Sequence, residues 1–162
     1  MIRAATIDDI NSIVPLLLEF WINSPFPEFI EPDAETLYET IVWLINNENG
    51  LLHVLEKKSK VVGVVGFIMQ PSWFNNNHIT ALELFWYVKP KYRGNGIRLL
   101  LHAKKEAQKL GANTIEMGAV PPYQLTENIY DRMGLKPTDR KYMGALNNGG
   151  FGNFHSSRGL IR

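Results

Sequence analysis

The stretch Val88-Lys89-Pro90-Lys91-Tyr92-Arg93-Gly94-Asn95-Gly96-Ile97-Arg98-Leu99-Leu100 joins the end of an apolar run to the start of a helical one. Pro90 stops the first, and Leu99, Leu100, Ala103, Ala107 and Leu110 then share one helical face. The first turn of a helix has unsatisfied N–H groups and the positive end of its dipole, and glycines let a ligand come close to the backbone. Such a turn can cradle a phosphate, with Arg93 and Arg98 beside it to clamp the oxygens. An ordinary strand-to-helix loop can also read Gly-x-Gly, so the pattern alone is a weak signal. A dinucleotide fingerprint is disfavoured because Leu99 stands where its third glycine belongs, and no Gly-Lys-Ser/Thr phosphate loop occurs.

The elements that must position this turn follow from periodicity. Residues 2–5 read as a short strand. Thr6 then caps a helix whose first turn holds Asp8 and Asp9 and whose apolar positions run from Ile10 to Trp21. Pro15 should bend that helix or shift its start. A second helix is expected over 34–46. Strands over 51–56 and 61–69 are joined by the polar turn Lys57-Lys58-Ser59-Lys60, 70–77 reads as a loop, and 79–88 as a third long strand. After the helix of 97–110 come a strand over 114–119, a short helix over 125–133 closed by Gly134, and a last strand over 136–146. The order β-α-α-β-β-β-α-β-α-β implies one α/β domain over 1–146, with a central mixed, mostly antiparallel sheet of about six strands and four helices. Residues 147–162, rich in Gly, Asn and Ser, read as a C-terminal tail.

Composition narrows the function. The chain has 162 residues, enough for one sizeable core, and no cysteine, which rules out disulfides, thiolate metal sites and a cysteine nucleophile. No apolar run is long enough to span a membrane, and Met1-Ile2-Arg3 followed by Asp8-Asp9 lacks the shape of a secretory signal, so a cytoplasmic protein is the default. A net charge of +1 gives no basic excess overall, which disfavours nucleic acid as a partner. Charge is nonetheless segregated. In residues 1–50, Asp8, Asp9, Glu19, Glu28, Glu31, Asp33, Glu35, Glu39 and Glu48 stand against Arg3 alone, whereas 89–109 holds seven Lys and Arg against Glu106. Two solvated faces would look like this, and so would a chain that binds a cation with its first third and an anion with its middle.

The wording Val-x-Pro-x-Tyr-Arg-Gly-x-Gly-Ile over 88–97 resembles the acetyl-coenzyme A loop of the GNAT superfamily of N-acetyltransferases. Some thirty residues on, Asn128-Ile129-Tyr130-Asp131-Arg132-Met133-Gly134-Leu135 resembles that superfamily's Tyr-x-x-x-Gly-Phe signature. The element order from Ile2 to Leu146 is similar as well. The resemblance implies a GNAT-like fold with acetyl-coenzyme A as co-substrate and no metal. It further implies direct transfer of acetyl to an amine, on a small molecule or a protein, within a ternary complex. The alternative is a catalytically inactive coenzyme A-binding module that acts as an interaction protein; a homodimer is left open.

By the same resemblance, backbone groups around Trp86, Tyr87 and Val88 run along the pantetheine arm. The backbone of Arg93, Gly94, Asn95, Gly96, Ile97 and Arg98 takes the diphosphate. Arg98 departs from the pattern, standing where a small residue is usual. It can point away along the helix, add a phosphate contact, or block the site. Tyr130 maps onto the general acid that serves the departing thiolate, although an aromatic packed against the sheet would also fit. An ammonium acceptor must lose a proton, and Glu83, set mid-strand among apolar residues where a charge needs a reason, is the candidate base. It could instead be a paired structural carboxylate, or face solvent if the strand has no bulge. The first two helices and their loop imply an acceptor wall of Trp21, Phe26, Glu28, Phe29 and Glu31, continued by Asp33 and Glu35, where acids beside aromatics suit a cation with an apolar body. Trp73, with Phe74, would close that pocket from the other side or cap the core. His53, His78, His102 and His155 show no metal-ligand spacing.

Overall fold

A computed structural model describes residues 1–146; the tail over 147–162 lies outside the described residues. The chain runs β1 (Ile2–Ala4), α1 (Ile10–Ile22), α2 (Ala34–Asn46), β2 (Gly50–Lys57), β3 (Lys60–Ser72), β4 (Asn75–Val88), α3 (Gly96–Lys109), β5 (Thr114–Glu116) and α4 (Tyr123–Arg132). Sequence and spatial order coincide in the sheet, β1-β2-β3-β4-β5, with every pair antiparallel except β4 and β5.

Local chemistry sets the boundaries. Asp33 caps α2, accepting from the N–H groups of Glu35 and Thr36 and from the Thr36 hydroxyl at 2.6 Å. Pro15 lies inside α1 without ending it, on the exposed side away from buried Ile13, Leu16 and Leu17. Between β2 and β3, Lys58 and Ser59 both take positive φ (50° and 59°), which matches the right-handed twist of a two-residue hairpin turn.

Alternation along the strands feeds two cores, one on each face of the sheet. Leu52, Val54, Val64, Phe85 and Tyr87 pack under α1 and α2 with Ile10, Ile13, Leu17, Ile41 and Leu44. Leu51, Leu55, Val65, Phe67, Ala81 and Val88 face α3 through Leu99, Leu100, Ala103 and Ala107, with Tyr130 and Met133 at the margin. The result is a three-layer α/β/α domain.

Two expectations change. Residues 70–77 are not a loop: β3 and β4 continue as a ribbon past the end of β2, whose pairing stops at Gly50 opposite Ile68, and turn only at Trp73-Phe74. The strand expected over 136–146 joins no ladder, so the sheet has five strands among the described residues. That stretch carries Lys136, Pro137, Asp139, Arg140, Lys141 and Gly144, and offers no alternating apolar face to bury. Its contacts are polar, with Lys141 3.5 Å from Glu116 and the Arg140 guanidinium over the Tyr123 ring.

Candidate active site

β4 builds the site through an irregularity. Phe67 pairs with Glu83 while its neighbour Gly66 pairs with Phe85, so Leu84 is an extra residue without a partner on β3. Its effect is visible in the parity of the side chains. Ala81 and Val88 lie in the same α3-side core although they stand an odd seven positions apart, which a regular strand cannot do. Pairing with β5 covers only Thr80–Leu82 and stops just before this bulge. From Glu83 to Val88 the outward edge of β4 therefore has no strand partner among the described residues. An extended ligand can lie along such an edge and bond to its backbone.

Glu83 and Tyr130 meet at the mouth of this opening. The Glu83 carboxylate accepts from the Gly118 N–H at 2.7 Å, and the Tyr130 hydroxyl donates to the Gly118 carbonyl at 2.6 Å. Gly118, two residues past the end of β5, thus holds both groups. Burial pushes the Glu83 carboxyl up to about 7, and the Gly118 N–H offsets this only in part. Burial, and then the charge of Glu83, raises the Tyr130 phenol well above its usual value. The bulge condition for placing Glu83 in the cleft is met.

The phosphate turn follows β4 as a 3-10 segment over Pro90–Asn95, and α3 begins at Gly96 with no side chain capping it. Asn95 turns its amide back to the Tyr92 carbonyl. The two glycines divide their roles. Nothing lies within 4 Å of where a Gly94 Cβ would stand, so that backbone is open to a ligand. A Gly96 Cβ would come within 3.3 Å of Trp86 Cζ2 and 3.5 Å of Val88 Cγ2, so Gly96 instead lets α3 close on β4. Ile97 and Arg98 are exposed, and no ion pair engages Arg98 among the described residues. Arg98 does not fold into the core.

A long, partly anionic ligand fits this arrangement. It would find an open strand edge and an uncapped helix start with an open glycine; the Trp86 indole Nε1 is buried behind them with no hydrogen-bond partner among the described residues. The Trp86 ring lies 6.4 Å from that of Tyr130. Residues Arg93, Gly94, Asn95, Gly96, Ile97 and Arg98 would hold the anionic end, and Trp86, Tyr87 and Val88 the extended arm.

The acceptor wall is only partly assembled. Phe26 packs edge-on against Phe20 at 6.2 Å, and Phe20 lies 6.2 Å from Tyr87, which places the α1–α2 connection over the far end of β4. Trp21 works as a clamp, its indole N–H donating to the Ile30 carbonyl at 3.1 Å. Glu28, Phe29 and Glu31 are exposed on this connection. Trp73 is not brought to the site. It stacks on Phe74 at the ribbon tip, 88% exposed, and the residues from Phe74 to Glu83 span roughly 25–30 Å of strand.

Sequence reasoning missed the bridging role of Gly118, for which a backbone group leaves no signal. It also missed Glu19, which with Arg93 neighbours the Tyr87 hydroxyl; burial foremost, then Glu19, pushes that phenol up to about 12. His53 and His102 sit with ring centroids 5.0 Å apart, on β2 and α3, away from this cleft.

No curated protein matches the chain. Solved structures do. A predicted acetyltransferase from Clostridium acetobutylicum, solved with acetyl-CoA, is 21% identical, with TM-score 0.70 over 90% of this chain and 96% of that one. Glucosamine-6-phosphate N-acetyltransferase from Arabidopsis thaliana is 12% identical, with TM-score 0.69 over 91% and 98%. An aminoglycoside acetyltransferase from an uncultured soil metagenomic sample, in complex with trehalose, is 17% identical, with TM-score 0.70 over 90% and 95%. These likenesses establish the fold. The model of the acetyltransferase (GNAT) family matches residues 16–135, a span that contains the bulged strand, the phosphate turn and Tyr130, and the chain accordingly belongs to the GNAT family of acetyltransferases.

Proposed function

We propose that the protein transfers acetyl from acetyl-coenzyme A directly to a cationic amine, with Glu83 as base and Tyr130 as acid. The observation that carries this reading is their meeting on Gly118 where β4 and β5 part. A carboxyl near pKa 7 is half ionised at neutral pH, which suits a group that must take a proton from an ammonium. The amine so freed attacks the thioester carbon, the C–S bond breaks, and the amide forms without an acyl-enzyme. Unpaired N–H groups on the β4 edge can hold the developing oxyanion. Burial and the Glu83 charge favour the protonated form of Tyr130, and its hydroxyl must turn from the Gly118 carbonyl to serve the leaving sulfur. Glu28 and Glu31, beside the apolar Phe26 and Phe29, give the acceptor side a negative field, consistent with an amine that arrives charged.

Thiol release from acetyl-coenzyme A, measured across a panel of polyamines, amino sugars and peptide amines, tests the reading. Release should require an added amine and fall at least tenfold in Tyr130→Phe. Coenzyme binding without turnover on any amine would instead leave a coenzyme A-binding module.

A further inference from the structure

Two exposed features stand at one end of the molecule, and catalysis as read above uses neither. The first is the tip of the β3–β4 ribbon. Two-residue hairpin turns favour Gly, Asn or Asp, yet this one places Trp73 and Phe74 in solvent, 88% and 83% exposed, with their rings 4.4 Å apart. The tip is held in shape, the Phe74 N–H donating to the Ser72 hydroxyl oxygen and the Asn77 N–H to the Asn75 side chain. No Lys, Arg, Asp or Glu occurs between Lys60 and Glu83, so the ribbon brings no such charge to whatever it touches. The second feature is a groove of about 370 Å³ on the outward face of α2, between the rows Tyr38-Val42-Asn46 and Glu39-Trp43-Asn47. Tyr38 and Trp43 lie exposed along it, while Ile41 and Leu44 carry the buried face of the helix. Two residues past Asn47, the Asn49 carbonyl accepts from the Met69 N–H at 2.7 Å, at the root of the ribbon. Groove and ribbon therefore both start from the turn over 47–49, and each extends about 13 Å from it.

We propose that this end of the molecule is a self-association surface, on which the Trp73–Phe74 tip of each copy seats in the α2 groove of a second copy of this chain. The contact is then made twice, across a two-fold axis. Four aromatic rings and the two grooves that receive them bury together roughly 1,200–2,000 Å², the size of a stable protein–protein interface. Charge decides against other occupants. An anionic lipid surface or a nucleic acid calls for Lys or Arg beside the rings, and the ribbon has none. The tip does not bend back onto its own groove, since both rings stand exposed. This surface is independent of the coenzyme reading.

Sedimentation equilibrium on the full chain should show a monomer–dimer equilibrium at micromolar concentration. The double variant Trp73→Ser, Phe74→Ser, and separately Tyr38→Lys, should each weaken it at least about a hundredfold. Mixing the two variants leaves one sound tip facing one sound groove, so the mixture should form heterodimers where neither variant pairs with itself. The absence of cysteine allows a second readout that does not depend on weakening the contact. Asn46→Cys, in the groove, and Asn75→Cys, beside the tip, should cross-link with each other on mild oxidation in preference to themselves. A parent chain that stays monomeric at about 1 mM overturns the proposal, as does a dimer indifferent to the tip variant. A dimer that needs the tip but tolerates Tyr38→Lys and gives no cross-link between positions 46 and 75 overturns the groove as its seat. A monomeric parent that floats with phosphatidylcholine vesicles, and no longer does so once the tip is replaced, overturns it in favour of a lipid surface.

Discussion

Glu83 is costly where it stands. A carboxyl pushed up to about 7 by burial destabilises the folded chain whenever it is charged, that is, increasingly as pH rises from about 4.5 past 7. Glu83→Gln removes that charge and keeps an acceptor for the Gly118 N–H. The variant should therefore be more stable than the parent by about 1–2 kcal/mol at pH 8, after discounting for the part of the side chain that faces the cleft. It should at the same time lose most of its amine-dependent thiol release. In the parent, kcat/KM should climb with pH to a plateau above an inflection near 7, and Glu83→Gln should lack that limb. A variant that is both inactive and less stable at pH 8 would mean a structural carboxylate. Tyr130→Phe separates differently. It forfeits the 2.6 Å bond to the Gly118 carbonyl, worth about 1 kcal/mol, and should slow turnover at least tenfold while coenzyme affinity stays within about threefold. Equal losses of affinity and rate would instead make Tyr130 a packing residue.

The element that matters is β4, and its bulge is what converts a regular strand into a cleft. Gly66 lies opposite the bulge, under the Phe85 ring. A Cβ there would sit 2.7 Å from Phe85 Cε2 and 3.2 Å from Leu44 Cδ1. Gly66→Ala must move the ring or the strand, so urea unfolding should show a loss of about 1–3 kcal/mol, with a fall in turnover beyond that of a neutral surface change. Unchanged stability would show that the ring is free to move aside. This scale also shows what the chain declares in its residues. Helix α2 is readable to the residue because Asp33 and the Leu37, Ile41, Leu44 spacing are local signals. The phosphate turn and Tyr130 are readable because their motifs are contiguous. The bulge is not, since it depends on pairing with β3, a long-range choice that the sequence of β4 does not state. Gly118 is silent for a related reason, because it acts through its N–H and C=O. The ribbon over 70–77 is obscured by Pro71 and the Asn75-Asn76-Asn77 run, turn-forming residues that the hairpin accommodates beyond the reach of β2.

At the scale of the molecule, three titrating groups with opposite signs shape stability against pH. His53 is buried on β2 beside His102, and burial foremost lowers its imidazole to about 4. The unfolded chain binds that proton near 6.5 and the folded chain does not, so this group removes stability as pH falls from 6.5 to 4. Glu83 does the reverse over nearly the same window, because the folded chain takes its proton near 7 and the unfolded chain near 4.5. The two slopes oppose each other between about 4.5 and 6.5. Asp9 acts lower down. It receives two bonds from Arg3 at 2.6 and 2.8 Å and one from the Thr6 N–H, and Arg3 also reaches Glu56, so the cluster ties β1 to α1 and β2. The Arg3 hydrogen bonds above all hold the Asp9 carboxyl down at about 2, so its contribution of about 2 kcal/mol is complete above pH 4 and is lost as pH falls through 2. The free energy of unfolding in urea should thus be nearly flat from pH 6.5 to 4.5 and fall steeply below 4. In Glu83→Gln the compensating slope is gone, so stability should already decline by about 2 kcal/mol between pH 6.5 and 4.5. Asp9→Asn should be less stable at neutral pH and lose most of the steep fall below 4. Parallel curves for Glu83→Gln and the parent chain would show that the Glu83 carboxyl ionises as an ordinary surface acid, and the proton-accepting role assigned to it would fail with that result.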